Sequence, residues 1–274
     1  MKKFFSLTLC ALLAALCVLP AAADVPYATA TAGTAVVDGV IEEAWDVAET
    51  YTANALKDGT DEGITTNWKA MWDAKNLYLL IEVSGDKDHY TGSSQSWGDG
   101  VEVYYDIQNS DAENYETDDG IIQLGWNVAD LTNTAYMGTE AGVAAAPGKY
   151  KIACTEKADG YIYEISFNLV DFCKGFSMSE GAVIGLEIQV NSKNAEGDGR
   201  TSAYGWADTD NTAWQYPYIM GDVELVPAPV VETAAEEVVV VEDIAAAPQT
   251  FDMGVIAAVA AVVSAAGYAI SKKR

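Results

Sequence analysis

Apolar and polar residues alternate with a period of two through most of the middle of the chain. The run Trp68-Lys69-Ala70-Met71-Trp72-Asp73 leads into Asn76-Leu77-Tyr78-Leu79-Leu80-Ile81-Glu82-Val83. Both are rich in branched and aromatic residues, which predicts strands. Residues 101–105, 121–125, 183–191 and 218–226 read the same way. Residues 149–156 and 161–168 flank Ala158-Asp159-Gly160, the signature of a hairpin closed by an Asp-Gly turn. A single helical turn is expected at 42–47. Clusters of Gly, Asp, Asn and Ser separate these runs at intervals suited to an antiparallel sandwich. The expectation is an all-β fold: one globular antiparallel β-sandwich over residues 24–226, with no internal repeat.

The two ends depart from this pattern. Lys2 and Lys3 precede an apolar run over 4–19, and Ala21-Ala22-Ala23 follows. That order reads as a secretory signal peptide over residues 1–23. Neither Cys10 nor Cys17 follows a small residue, so no lipid anchor is expected there. From Pro227 to Thr250 the chain turns to Pro, Ala, Val and Glu, an acidic and extended spacer in which only Val238-Val239-Val240-Val241 suggests a strand. Residues 251–274 form a C-terminal anchor segment. Its apolar stretch of 18 residues, 253–270, precedes Ser271-Lys272-Lys273-Arg274. At about 1.5 Å per residue this is just enough to cross a bilayer core of roughly 30 Å, with the basic end inside. Ala247-Pro248-Gln249-Thr250 stands just before it. The whole resembles the sorting signals that sortases cleave in Gram-positive bacteria, although Ala247 and Phe251 stand where those signals carry Leu and Gly. Sortase attachment and retention by a transmembrane helix both remain open. Both make the chain an exported cell-surface protein.

Charge narrows the partners. Of 15 Lys and Arg and 41 Asp and Glu, five bases (Lys2, Lys3, Lys272, Lys273, Arg274) and Asp252 belong to the end segments, leaving 10 bases against 40 acids, about −30 formally. Such a surface disfavours nucleic acid and acidic polymers and suits neutral ligands and divalent cations. Solubility alone accounts for most of these carboxylates. His89 is the sole histidine, which nearly excludes zinc sites with His ligands and His-based triads or relays. Cys154 and Cys173 remain after signal removal; an exported chain could pair them or bury them as thiols.

The seven tryptophans carry the functional argument. Trp45, Trp68 and Trp72 are read as core, the last two sharing one strand face. Trp126 ends a strand and is ambiguous. Trp97 stands among Gly, Ser and Asp, and Trp214 follows a polar stretch containing Asp208, Asp210 and Asn211. Aromatic rings in polar loops suit a sugar, whose C–H face stacks on indole while amides and carboxylates take the hydroxyl rim. If each ring covers on the order of 50–100 Å², it contributes roughly 1–2.5 kcal/mol, so two rings alone give about millimolar binding. Tighter binding needs rim hydrogen bonds, for which Glu102, Gln123, Gln189, Asn191 and Asn211 are candidates. Each of these, taken singly, reads equally as a solvated or turn-capping residue.

Five segments, in order, resemble the family 9 carbohydrate-binding modules: "VVDGVIEEAW", "MWDAKNLYLLIEVSGD", "SWGDGVEVYYD", "VIGLEIQVNS" and "GWADTDNTAWQYP", together spanning about residues 34–226. The resemblance implies that Trp97 and Trp214 clamp a sugar at a chain end, assisted by Glu102, Gln189 and Asn211. The family's middle-strand Arg and Asn fall on Gln123 and Gly125, and the spacing from Trp97 to Glu102 is one residue short. It also implies structural calcium in loops such as 106–119, or around Asp208 and Asp210. The leading expectation is therefore a non-catalytic surface protein that captures a neutral glycan such as a plant cell-wall polysaccharide. Two alternatives stand beside it. One is a structural or adhesive sandwich without sugar binding. The other is a glycoside hydrolase, which needs two carboxylates about 5–9.5 Å apart that no motif singles out.

Overall fold

A computed structural model describes residues 25–86, 96–118, 120–193 and 199–229. The expected signal peptide at 1–23, the C-terminal anchor, almost all of the acidic spacer and His89 lie outside them. The order is β1 (Tyr27–Ala32), a 3-10 turn (Glu43–Val47), β2 (Tyr51–Thr52), β3 (Ala55–Gly59), β4 (Thr65–Trp72), β5 (Asn76–Ser84), β6 (Gly100–Asp106), β7 (Ile121–Asn127) and β8 (Asp130–Gly138). Then come α1 (Glu140–Ala145), β9 (Tyr150–Lys157), β10 (Gly160–Asn168), α2 (Leu169–Phe172), β11 (Val183–Ser192), β12 (Ser202–Gly205), a 3-10 turn (Pro217–Ile219) and β13 (Gly221–Val226).

Ten strands pair in the order β8-β7-β6-β11-β13-β1-β4-β5-β10-β9, and β12 extends from β11 to β3. Pairing is antiparallel except at β1, which runs parallel to both β13 and β4. The path nearly closes on itself: Thr134 of β8 and Tyr150 of β9 share a hydrogen bond of 2.8 Å between hydroxyls. The result is the single-domain β-sandwich that the alternation predicts, but its sheet is mixed rather than purely antiparallel, because β1 pairs in parallel on both sides.

The same alternation builds the core. Val101, Val103 and Tyr105 of β6, Ile122, Leu124 and Trp126 of β7, and Ile184, Leu186, Ile188 and Val190 of β11 point inward. They meet Leu77, Leu79, Ile81 and Val83 of β5 and Tyr161, Tyr163, Ile165 and Phe167 of β10. Trp126, ambiguous in the sequence, is therefore core. Trp68 is fully buried and Trp72 packs at the margin of the same cluster, as their even spacing requires. Cys154 and Cys173 are two thiols rather than a disulfide. Burial pushes the Cys154 thiol up to about 12.

The opening segment serves the fold. Trp45 packs with Met71, Tyr78, Leu80 and Ile162 on the outer face of β5 and β10. Its indole donates to Glu164 Oε1 at 2.8 Å, and the N–H groups of Asp38 and Gly39 donate to Glu164 Oε2. Gly39 has a φ of 83°, and a Cβ there would lie 2.5 Å from Thr155 Oγ1, so no larger residue fits that turn. Strands β1, β2, β3, β8 and β12 were not expected from the sequence. The strand expected over 218–226 starts later because Pro217 opens a 3-10 turn, where a missing N–H costs nothing.

Candidate functional site

On β6, β7 and β11 the residues between the core positions face the other way. Strand register sets them in rows: Glu102 of β6 is opposite Gln189 of β11 and Gly125 of β7, while Tyr104 is opposite Gln123. Loops cover this face, so it is buried yet polar. Glu102, Gln189, Asn191 and Gln123 are each 7% exposed or less. A buried polar face stays folded only if its groups satisfy one another. Glu102 Oε2 accepts from Tyr104 OH at 2.8 Å and from Gln189 Nε2 at 3.1 Å, and Glu102 Oε1 accepts from Ser96 Oγ at 3.2 Å. Gln189 Nε2 also donates to Asn191 Oδ1 at 2.8 Å.

Above this floor lies a cleft of about 590 Å³. It is lined by six of the seven residues expected at a sugar site, namely Trp97, Trp214, Glu102, Gln123, Gln189 and Asn211, and by Asp58, Tyr104, Met137 and Arg200. The seventh, Asn191, is buried beside them, bonded to Gln189 and to the Ser96 carbonyl. Trp97 and Trp214 are 55% and 42% exposed, whereas Trp45, Trp68 and Trp126 are at most 1%. Neither loop tryptophan folds back into the core.

Each exposed ring has a buried root. Ser96, just before Trp97, is fully buried; its carbonyl accepts from Asn191 Nδ2 at 2.9 Å. It occupies space left by Gly125, where a Cβ would lie 2.3 Å from Ser96 Oγ. Gly125 is the position where the resemblance noted a departure from the family's asparagine, and in this chain the Ser96 hydroxyl lies against it. On the other side, the Asp208 carboxylate accepts from the N–H groups of Asp210, Thr212 and Ala213 at 2.8–2.9 Å. Within that turn Asn211 takes a φ of 55°, and its carbonyl accepts from the Trp214 indole at 3.1 Å. Below it, buried Lys57 bridges Asp208 at 2.8 Å and Glu187 at 3.2 Å. Glu187 also accepts from the N–H groups of Ala207 and Asp208. Gly205 leaves room for this group, since a Cβ would sit 2.5 Å from Glu187 Oε1.

This network bears on the expected calcium site. Asp208 spends its oxygens on Lys57 and three backbone N–H groups, and Asp210 is exposed. Among the described residues no three acidic, His or Cys side chains converge as a cation site. The Asp208–Asp210 pair does not fit calcium, because an ammonium already supplies the positive charge.

A family model described as "Carbohydrate family 9 binding domain-like" matches residues 37–228. The chain belongs to this family. The endo-1,4-beta-xylanase A of Thermotoga maritima is 30% identical over 201 residues, 73% of this chain and 18% of the enzyme. The exoglucanase XynX of Acetivibrio thermocellus is 31% identical over 202 residues, 74% of this chain and 17% of that protein. The chain thus spans less than a fifth of these relatives, and the match covers their binding module. Among solved structures, a family 9 carbohydrate binding module from Caldicellulosiruptor kristjanssonii in complex with cellotriose superposes with a TM-score of 0.63 at 20% identity. It covers 82% of this chain and all of that one. A family 9 carbohydrate binding module from the same organism in complex with glucose gives 0.61 at 22% identity over 74% of this chain and 96% of that one. These likenesses show a shared β-sandwich.

In this family 9 domain the cleft also holds residues that no local pattern announced. Arg200 precedes β12 and donates to Asn191 Oδ1 at 3.3 Å and to Asp58 of β3. Tyr104 could have been found, since it shares Glu102's strand face two residues on. Arg200 and Asp58 reach the cleft only through the unforeseen β3–β12 pairing. Burial raises the Glu102 carboxyl above its ordinary range, and the hydrogen bonds and the Arg200 charge only partly offset this. Burial also acts to raise Asp208, but Lys57 and the backbone donors outweigh it and hold that carboxyl below the ordinary range.

Proposed function

We propose that this chain is a non-catalytic cell-surface carbohydrate-binding protein that captures a neutral polysaccharide or oligosaccharide between Trp97 and Trp214. The observation that carries the reading is the cleft itself: two exposed indoles on buried roots, above a floor of hydrogen-bonded carboxylate and amides. Indole faces suit the C–H patches of a pyranose, and Glu102, Gln123, Gln189 and Asn211 suit its hydroxyls. Plant cell-wall polysaccharide is the ligand class favoured by the relatives' names, and the family resemblance favours its chain end. The acidic surface supports a neutral ligand over a charged one. The reading is non-catalytic because Glu102, the carboxylate at the cleft floor, is committed to three neighbours, and the family is one of binding domains. Export by the N-terminal signal, and attachment through the C-terminal segment by sortase or as a membrane helix, complete the proposal.

A glycan array probed with the full chain and with Trp97→Ala and Trp214→Ala tests it. Binding to a neutral plant glycan, weakened about tenfold or more in each variant without release of reducing sugar, is expected. Absence of wild-type binding across the array would favour a structural or adhesive protein. Sugar release by the pure protein would favour a hydrolase.

A further inference from the structure

A second cleft, of about 670 Å³, begins one residue beyond Trp214. Gln215, Tyr216 and Tyr218 line it from the Trp214 loop, and Asp111, Glu113 and Asn114 line it from the loop after β6. Tyr216 and Tyr218 are 40% and 47% exposed, and their rings lie 5.7 Å apart with planes tilted by 36°. They are held outward by the chain between and around them. Pro217 is buried and opens the 3-10 turn, and Tyr218 N–H donates to the Ala112 carbonyl at 3.2 Å. The two loops are pinned together below. Tyr115 OH donates to the Ala213 carbonyl at 2.7 Å, and Ala112, Tyr115, Ala213 and Met220 pack in one buried cluster with Tyr104 from the floor of the first cleft. The second cleft is therefore preformed and mechanically continuous with the Trp214 jaw.

Its chemistry repeats that of the first cleft. Two outward aromatic faces are bordered by two amides and two carboxylates, with no basic residue lining it among the described residues. Apolar area on the rings with acceptors and amides around it suits a hydroxyl-rich, uncharged ring, and the carboxylates disfavour a uronate. We infer that Tyr216 and Tyr218 form a second sugar-stacking subsite, which takes further units of the neutral glycan whose end lies at Trp97 and Trp214. This rests on the carbohydrate-binding reading above and extends it from the capture of an end to recognition of chain length.

Calorimetric titration of the full chain with glucose, cellobiose and cellohexaose tests this subsite. Wild-type affinity should rise about tenfold from cellobiose to cellohexaose, one added ring face being enough for that factor. Tyr216→Ala with Tyr218→Ala should remove that increment and leave cellobiose binding unchanged. Because both rings are exposed, the melting temperature of this variant should match the wild type. If it does not, Gln215→Ala with Glu113→Gln, at the rim alone, should still lower the cellohexaose increment. Equal wild-type affinity for cellobiose and cellohexaose would overturn the second subsite and leave the first standing. So would a chain-length increment that survives both sets of substitutions. No binding of any of the three sugars would overturn both.

Discussion

Glu102 is the residue on which the cleft's chemistry turns. It is 2% exposed, and its neighbours Tyr104, Gln189 and Ser96 donate to it, with no cation bonded to it among the described residues. Burial penalises the charged form, so the folded chain holds the proton to a higher pH than the unfolded chain does. The stability contributed by this group is thus present at low pH and is lost as pH rises through the folded-state value, which lies above the ordinary glutamate value of about 4.3. Sugar binding has the opposite dependence, because a hydroxyl donating to the carboxylate favours the ionised form. Affinity for a neutral sugar is expected to fall as pH drops through that raised value, and Glu102→Gln should flatten the profile. The substitution should also cost about tenfold in affinity at neutral pH, the size of one hydrogen bond to a charged group. Titrations between the acidic and neutral range would check this; a wild-type profile identical to that of Glu102→Gln would remove Glu102 from the site.

Among elements, the Trp97 loop fits closely onto β7. Gly125 has no side chain, and Ser96 fills the space and bonds to both Glu102 and Asn191. Gly125→Ala should push Ser96 out, at a cost of about 1–3 kcal/mol as in other overpacked interiors. The Trp97 ring should shift with it. Loss of sugar binding with a lowered melting temperature is therefore expected. Adding Ser96→Gly, which removes the two closest opposing atoms, should restore a large part of both. Failure of the second substitution to restore binding would mean that Gly125 acts through some other neighbour. This contact also shows where sequence reading stops. The strands β4, β5, β6, β10 and β11 were legible because their inner residues alternate strictly and their turns carry Asp or Gly. Five further strands were not. Strands β2 and β12 are very short, and β3 has little apolar content, since its residues sit at a polar edge. Trp97 and Trp214 were legible as aromatic residues out of place. Arg200, Asp58 and Ser96 were not, because strand pairing across more than a hundred residues, or a glycine's missing side chain, brings them to the cleft.

At the scale of the whole molecule, the sandwich divides its strand faces between two tasks. Inner positions make an apolar core, and the opposite face of β6, β7 and β11 makes a polar floor. Loops rooted by Ser96 and by the Lys57–Glu187–Asp208 group hold aromatic rings above that floor. The net charge of about −30 outside the end segments keeps such a surface soluble, while the cleft itself sets indole rings and amides around the Glu102 carboxyl and the Arg200–Asp58 pair. The central claim is that this cleft is where sugar binds. The most direct measurement is a crystal structure of the protein soaked with cellobiose. A pyranose ring stacked between Trp97 and Trp214, with hydroxyls within hydrogen-bond distance of Glu102 and Gln189, is the predicted result. A cleft that stays empty of sugar, or a sugar bound away from both tryptophans, would contradict it.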